Sequence, residues 1–242
     1  MSIHTFVHND AKTASEACAA KVVQLLGQAV AGTGRATFAV SGGTTPKLLF
    51  GQLARTPFDW SKVHLFWVDE RCVPPTDPQS NYKLAKENLI DPAGFPAANI
   101  HRIPAELDPE VAARAYAADI REFFGLKPGE LPRFDVLHRG MGPDAHTASL
   151  FPGEPLINDL ENVAAAVYVE KFHQWRVTLL PGVLMAARST VMLVAGEDKA
   201  EPLRAVLHEP YDPLSYPAQI ATYEGRNQVM WFLDDAAARL IR

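Results

Sequence analysis

Only two cysteines, Cys18 and Cys72, occur in this chain of 242 residues, and they form neither a Cys-x-x-Cys pair nor the closely spaced set of a disulfide framework. Their scarcity fits a reducing compartment, so a cytoplasmic location is expected. No apolar run approaches the roughly 20 residues that a membrane-spanning helix needs. The opening Met1-Ser-Ile-His-Thr-Phe6 has no basic segment followed by an apolar stretch, so it does not read as a secretory signal. A basic stripe is missing as well: 23 Lys and Arg stand against 28 Asp and Glu, a formal charge of -5, which argues against a nucleic-acid partner. His-Glu-x-x-His is absent, and His4 and His8, though four apart, fall in an expected strand, so no metal site is expected. The chain also lacks Gly-x-x-x-x-Gly-Lys-Ser/Thr, which removes a nucleotide-binding P-loop.

What is present describes a folded protein. Hydrophobic residues make up 48% and charged residues 21%, too apolar for a disordered chain. No compositional seam divides the sequence, so residues 1–242 are expected to form one domain. Residues 3–7 read as a short strand. Ala14, Cys18, Val22, Leu25 and Ala29 then recur at steps of three and four, one face of a long helix that Gly32 to Gly34 ends. The apolar run 36–40 reads as a buried strand, and Pro46 opens a helix through Leu53. Residues 63–68 form another strand, followed by a polar, proline-broken loop over 69–81 and a helix from near Ser80. Asp108 can cap a helix to about Phe124. Strands are expected at 134–138, 191–195 and 229–233, with helices at 197–208 and 234–240. This alternation predicts an α/β fold, a Rossmann-like, mostly parallel sheet with helices on both faces. Ligands of such sheets collect at the carboxyl ends of strands, so the loops after Val40, Val68 and Arg139 are expected beside one crevice.

Those loops hold the residues suited to chemistry. Ser41-Gly-Gly-Thr-Thr-Pro-Lys47 combines glycines, hydroxyls and a helix N-terminus, and reads either as an anion-binding loop or as a tight turn with a Thr cap. Asp69, Glu70 and Arg71 directly follow an apolar strand. The planar fork of Arg71 could grip phosphate oxygens, with the carboxylates orienting it or a sugar hydroxyl, or the three could be a solvated strand end. Gly140-Met-Gly-Pro-Asp-Ala145 superficially matches a dinucleotide fingerprint, but Pro143, Asp144 and the later Pro152 break it. Asp144 is expected instead to cap a short helix with His146 in its first turn, where the helix dipole would favour the neutral imidazole that a general base needs. Lys199 after Gly196-Glu-Asp could offer a point charge to phosphate, and Arg176 in Trp175-Arg-Val-Thr178 is a strand arginine that binds an anion or pairs with a carboxylate.

Together, Ser41-Gly-Gly-Thr-Thr-Pro46, Val68-Asp-Glu-Arg71 with Ser80-Asn-Tyr82, Gly140-Met-Gly-Pro-Asp-Ala-His-Thr-Ala-Ser-Leu-Phe-Pro152 and Gly196-Glu-Asp-Lys-Ala200 resemble the 6-phosphogluconolactonase family, in order and over nearly the whole chain. The resemblance implies a fold shared with glucosamine-6-phosphate deaminases, hydrolysis of 6-phospho-D-glucono-1,5-lactone in the pentose phosphate pathway, and neither metal nor organic cofactor. It implies His146 as the base, supported by Asp144, with Arg71 and Lys199 toward phosphate and Gly42, Gly43 and Thr44 supplying backbone donors. Asp69 and Arg176 complete the expected substrate-binding set. The partner is then a small sugar-phosphate lactone. Oligomeric state stays open, and a monomer is compatible with the sequence.

The family usually has Gly where Ala145 stands, Leu in place of Arg139, and often Thr and Asn in place of Leu180 and Met185. Ala145 suits a helical first turn and would resist a left-handed backbone. Arg139 is either neutral to the site or adds a positive group beside it. Deaminases of the same fold resemble Asp-Glu-Tyr and Phe-Asn-Glu-Pro where this chain has Asp69-Glu-Arg71 and Ser149-Leu-Phe-Pro152. The acid expected for ring-opening chemistry is therefore missing.

Overall fold

Apolar side chains along the strands sort alternately onto the two sides of one parallel sheet. The computed structural model describes residues 3–220 and 228–241. Its strands are β1 (Ile3–His8), β2 (Ala36–Val40), β3 (Val63–Trp67), β4 (Asp69–Arg71), β5 (Ile100–His101), β6 (Val136–Arg139), β7 (Ala164–Val169), β8 (Gln174–Leu179), β9 (Ser189–Val194) and β10 (Gln228–Asp234). The helices are α1 (Ala11–Thr33), α2 (Thr44–Arg55), α3 (Asn81–Ala85), α4 (Asp91–Ala93), α5 (Pro109–Phe124), α6 (Pro181–Ala186) and α7 (Ala200–His208), with a π-helical turn, Lys86–Ile90, between α3 and α4.

Seven strands form a sheet in the order β1-β10-β9-β6-β2-β3-β5, and every pairing in it is parallel. In β9, Val191 and Leu193 join the core that holds Ala14, Cys18, Val22 and Leu26 of α1. Their neighbours Met192 and Val194 join Leu203 and Val206 of α7 on the opposite face. This alternation is the period-two geometry of a strand covered on both sides. The α1 stripe differs from the expected one by a single step. Leu26 is fully buried, whereas Leu25 and Ala29 lie half-buried at its margin. Asp10 caps α1 by accepting the Thr13 backbone N–H at 2.7 Å, and Gly34, with φ 81, stops it.

Sequence boundaries shift where loops compete with helices. α2 begins at Thr44, two residues before Pro46, and the segment 197–208 divides into a 3-10 turn, Glu197–Lys199, and α7. The expected closing helix is a 3-10 segment, Ala237–Leu240.

A second sheet, β4-β8-β7, is antiparallel and was not anticipated. Val68 joins the two sheets: its N–H donates to the Val40 carbonyl at 2.9 Å, and its carbonyl accepts from Leu179 at 2.8 Å. From β2 the chain proceeds outward through β3 and β5, then returns to the other side of β2 as β6. The loops after β2 and β6 therefore flank the point where strand order reverses, the position at which open α/β sheets bind ligands.

Candidate active site

A cavity of about 400 Å³ lies at this switch point. Gly42, Gly43, Thr44, Asp69, Arg71, His146, Arg176 and Lys199 all line it, so the expected residues from five separate segments are brought together. Asp144 stands behind His146 and reaches it by hydrogen bond.

The first wall is the β2–α2 loop. Helix α2 starts directly after Gly43 and has no side-chain cap, so its first free N–H groups, at Thr44 and Thr45, remain available to an anion at the cavity wall. Gly42 is required by proximity: a Cβ there would collide with the side chain of Asn81.

The second wall is β4 with the segment that follows. Asp69 is buried and accepts from the Ser149 hydroxyl at 2.8 Å. Glu70 does not line the cavity. It accepts from the backbone N–H groups of Arg71 (2.8 Å), Asn81 (2.7 Å) and Tyr82 (2.7 Å) and from the Ser80 hydroxyl (3.0 Å), fastening the start of α3 to β4. Burial pushes its carboxyl pKa up, and these donors oppose that. Asn81, thereby buried at the cavity wall, donates to the Asp69 carbonyl at 2.9 Å. Arg71 donates from Nη1 to the Gln79 carbonyl at 2.5 Å, and its Nε has no partner among the described residues. Arg176 on β8 pairs in register with Arg71, and its Nε is also unpartnered among the described residues. Burial and the charge of Arg71 lower the Arg176 pKa, against the attraction of Asp69 and Glu70. Such an arrangement of cations is what an anionic ligand would complete.

The third wall is the β6 loop, where the expected short helix is absent. Gly142 accepts the Ala145 N–H at 3.1 Å and donates to the His146 carbonyl at 2.9 Å, a closed turn that forces Ala145 to φ 62. An alanine is thus held in the left-handed region, where its Cβ is strained. A helix dipole therefore does not act on His146. Asp144 contacts it directly, with Oδ1 2.5 Å from Nδ1, and Phe151 stacks on the ring at 4.2 Å between centroids. Burial would raise the Asp144 pKa, but the hydrogen bond and charge of His146 and the contact with Lys171 overcome it and hold the carboxyl well below its usual range. In a neutral ring whose Nδ1–H donates to Asp144, the lone pair lies on Nε2, which has no partner among the described residues. Gly142 cannot be larger, because a Cβ would strike the His146 ring and the Asp144 carboxylate.

Lys199 closes the fourth side from the 3-10 turn before α7, with Nζ 2.6 Å from Asp198. Asp234 secures this turn by accepting from the Gly196 N–H at 3.0 Å. Arg139 is not part of the cavity. It is fully buried and donates from Nη2 to the Ile220 carbonyl at 2.8 Å. Leu180 is buried at the start of α6 and Met185 half-buried within it, both away from the cavity wall.

Sequence reasoning missed the anchoring role of Glu70, the wall position of Asn81, the stacking of Phe151 and the ion pair of Lys171 with Asp144. The Ser80 cap signal pointed toward Asn81, whereas the other contacts depend on how distant segments meet. Among the described residues, no group of three or more His, Cys, Asp or Glu side chains is arranged to hold a metal. None of the described helices is long and apolar enough to cross a membrane.

A parallel sheet with a cationic, ligand-sized cleft at its switch point, backed by a histidine–carboxylate pair, defines an α/β enzyme class acting on small anions. The chain belongs to the glucosamine-6-phosphate isomerase/6-phosphogluconolactonase family, whose model matches residues 9–231. It is 38% identical over 216 residues to a 6-phosphogluconolactonase of Synechocystis sp., covering 89% of this chain and 88% of the relative. Identity to the Streptomyces coelicolor 6-phosphogluconolactonase is 35%, covering 96% and 92%. The 6-phosphogluconolactonase structure from Trypanosoma brucei superposes with a TM-score of 0.89 at 25% identity, covering 100% of this chain and 99% of that one. A monomeric glucosamine-6-phosphate deaminase shares the fold, with a TM-score of 0.83 at 17% identity, covering 98% and 99%.

Proposed function

We propose that this chain is a 6-phosphogluconolactonase, hydrolysing 6-phospho-D-glucono-1,5-lactone to 6-phospho-D-gluconate in the pentose phosphate pathway. Its curated relatives carry that activity in their names at high coverage of both chains. The observation that carries the reading is the His146–Asp144 pair at 2.5 Å, placed in a cavity that three cationic side chains also line.

In this reading Arg71, Arg176, Lys199 and the α2 N-terminus hold the phosphate, Asp69 aligns the sugar, and Gly42, Gly43 and Thr44 present backbone N–H groups. His146 Nε2 takes a proton from water as the oxygen attacks the lactone carbonyl carbon. Asp144 stabilises the imidazolium so formed. As the bond from the carbonyl carbon to the ring oxygen breaks, His146 returns the proton to that oxygen, giving the open-chain hydroxy acid. Remote phosphate binding contributes by placing the carbonyl against the waiting water.

The test is lactone hydrolysis coupled to 6-phosphogluconate dehydrogenase, corrected for spontaneous hydrolysis. His146→Ala is expected to lower turnover about 10²- to 10⁴-fold while phosphate recognition persists. Wild-type turnover in that variant overturns the assignment of the base. Ammonia release from glucosamine 6-phosphate would favour the deaminase reading, which calls for an acid in the segment where Phe151 stacks on His146.

A further inference from the structure

Lys171 lies outside every motif discussed so far, at the tip of the β7–β8 hairpin in the 3-10 turn Glu170–Phe172. Its Nζ is 3.0 Å from Oδ2 of Asp144, the carboxylate oxygen that does not hold His146. The next residue, Phe172, meets Phe151 edge-on at 5.8 Å, and Phe151 is the ring stacked on His146. The hairpin therefore reaches the pair twice, once by charge and once through an aromatic ring. His173, with φ 48, closes the turn by donating its N–H to the Glu170 carbonyl at 3.1 Å.

A carboxylate on Nδ1 steadies an imidazole, but it also favours imidazolium, which cannot accept a proton from water. An ammonium on the second carboxylate oxygen opposes that bias without disturbing the Nδ1 hydrogen bond. The other charged groups around His146 are Arg176 from β8, lying over Phe151, and Asp69, Arg71, Asp198 and Lys199 around the cavity. Of these, none contacts Asp144; its side-chain partners among the described residues are His146 and Lys171.

The geometry points to Lys171 as a positioning residue for the reaction: it clamps Asp144 in the orientation that holds Nδ1–H and keeps Nε2 of His146 unprotonated at neutral pH. The assignment rests on His146 acting as the base. Lys171 is more than half exposed, so its replacement should leave the fold intact.

The experiment compares full-length wild type, Lys171→Met and Lys171→Arg by kcat/KM between about pH 5.5 and 8. A nitrogen-15 NMR titration of His146 without substrate accompanies it. In Lys171→Met the acid limb and the His146 midpoint should both move to higher pH by about half a unit or more. Its kcat near pH 6.5 should fall roughly twofold or more with KM nearly unchanged, and Lys171→Arg should restore the wild-type profile. An unmoved His146 titration in Lys171→Met overturns the proposal, as does an activity loss equal at every pH that arginine fails to rescue. Because the titration does not depend on turnover, either result is distinguishable from failure of the base reading, which would appear as wild-type turnover in His146→Ala.

Discussion

Arg71 and Arg176 stand directly opposite one another across the antiparallel pairing of β4 and β8. Like charges at such a position cost about 0.2–1 kcal/mol, and burial of Arg176 removes the water that would screen them. Strain of this kind, held beside a cavity, is understandable if a bound anion relieves it. Arg176→Met should therefore leave Tm unchanged or slightly raised without ligand, while lowering kcat/KM for the phosphorylated lactone about ten- to hundredfold. Inorganic phosphate should raise the wild-type Tm more than that of Arg71→Met/Arg176→Met, measured by differential scanning fluorimetry. Equal losses on phosphorylated and unphosphorylated lactones would count against an anion role for the pair.

The backbone at Ala145 supplies a second prediction. Its φ of 62 costs an alanine about 1–2 kcal/mol, whereas the buried methyl contributes about 0.8 kcal/mol. Ala145→Gly should then stabilise by up to about 1 kcal/mol, a Tm rise of at most roughly 4 °C, with kcat unchanged. A β-branched side chain fits this conformation far worse, so Ala145→Val should lower Tm by several degrees and disturb the 144–146 turn. Thermal melts of the three proteins check the order Gly above Ala above Val.

Much of the large sheet could be read from local signals. The apolar runs over 36–40 and 63–67 are buried on both faces, and such strands need no distant partner to be recognised. The loops that follow them are visible because glycine, proline and clustered charges interrupt those runs. The three-residue β4 gives no periodicity to detect, and its partner β8 begins more than a hundred residues later, so the small sheet was illegible. The turn at 142–146 was misread for a different reason. Asp144 is a good helix cap, but its side chain binds the His146 ring and backbone, and the Gly142 carbonyl closes a turn at Ala145 before any helix begins. The approach of Lys171 to Asp144 depends on where a hairpin folds back, information that resides in tertiary packing.

Arg139 offers a stability test remote from the cavity. It is fully buried, burial pushes its pKa down to about 10, and Nε and Nη1 have no partner among the described residues. A single hydrogen bond to Ile220 offsets little of that desolvation. Arg139→Leu, which installs the residue usual in the family, should stabilise the protein by about 1–4 kcal/mol in urea titrations at pH 7. Because Arg139 does not line the cavity, kcat/KM should stay within about twofold of wild type. A loss of stability would mean that the guanidinium holds more of the fold than its hydrogen bonds suggest.

Asp144 makes the stability of the site depend on pH in a defined direction. Its carboxyl is held below the ordinary range despite burial, because His146 and Lys171 favour the ionised form. The folded state therefore binds fewer protons here than the unfolded chain, whose aspartate titrates near about 3.9. The resulting stabilisation is fully present above that unfolded value and is lost as pH falls toward the depressed folded one. Asp144→Asn removes the charge and with it this dependence. The stability gap between wild type and Asp144→Asn, taken from its value near pH 5, should narrow between about pH 4 and 2.5. Urea denaturation of both proteins at matched ionic strength measures it. A gap that stays constant to about pH 2.5 would show that the His146 and Lys171 contacts do not favour the ionised carboxylate in solution, and would remove the electrostatic basis for treating Asp144 as the partner of the base.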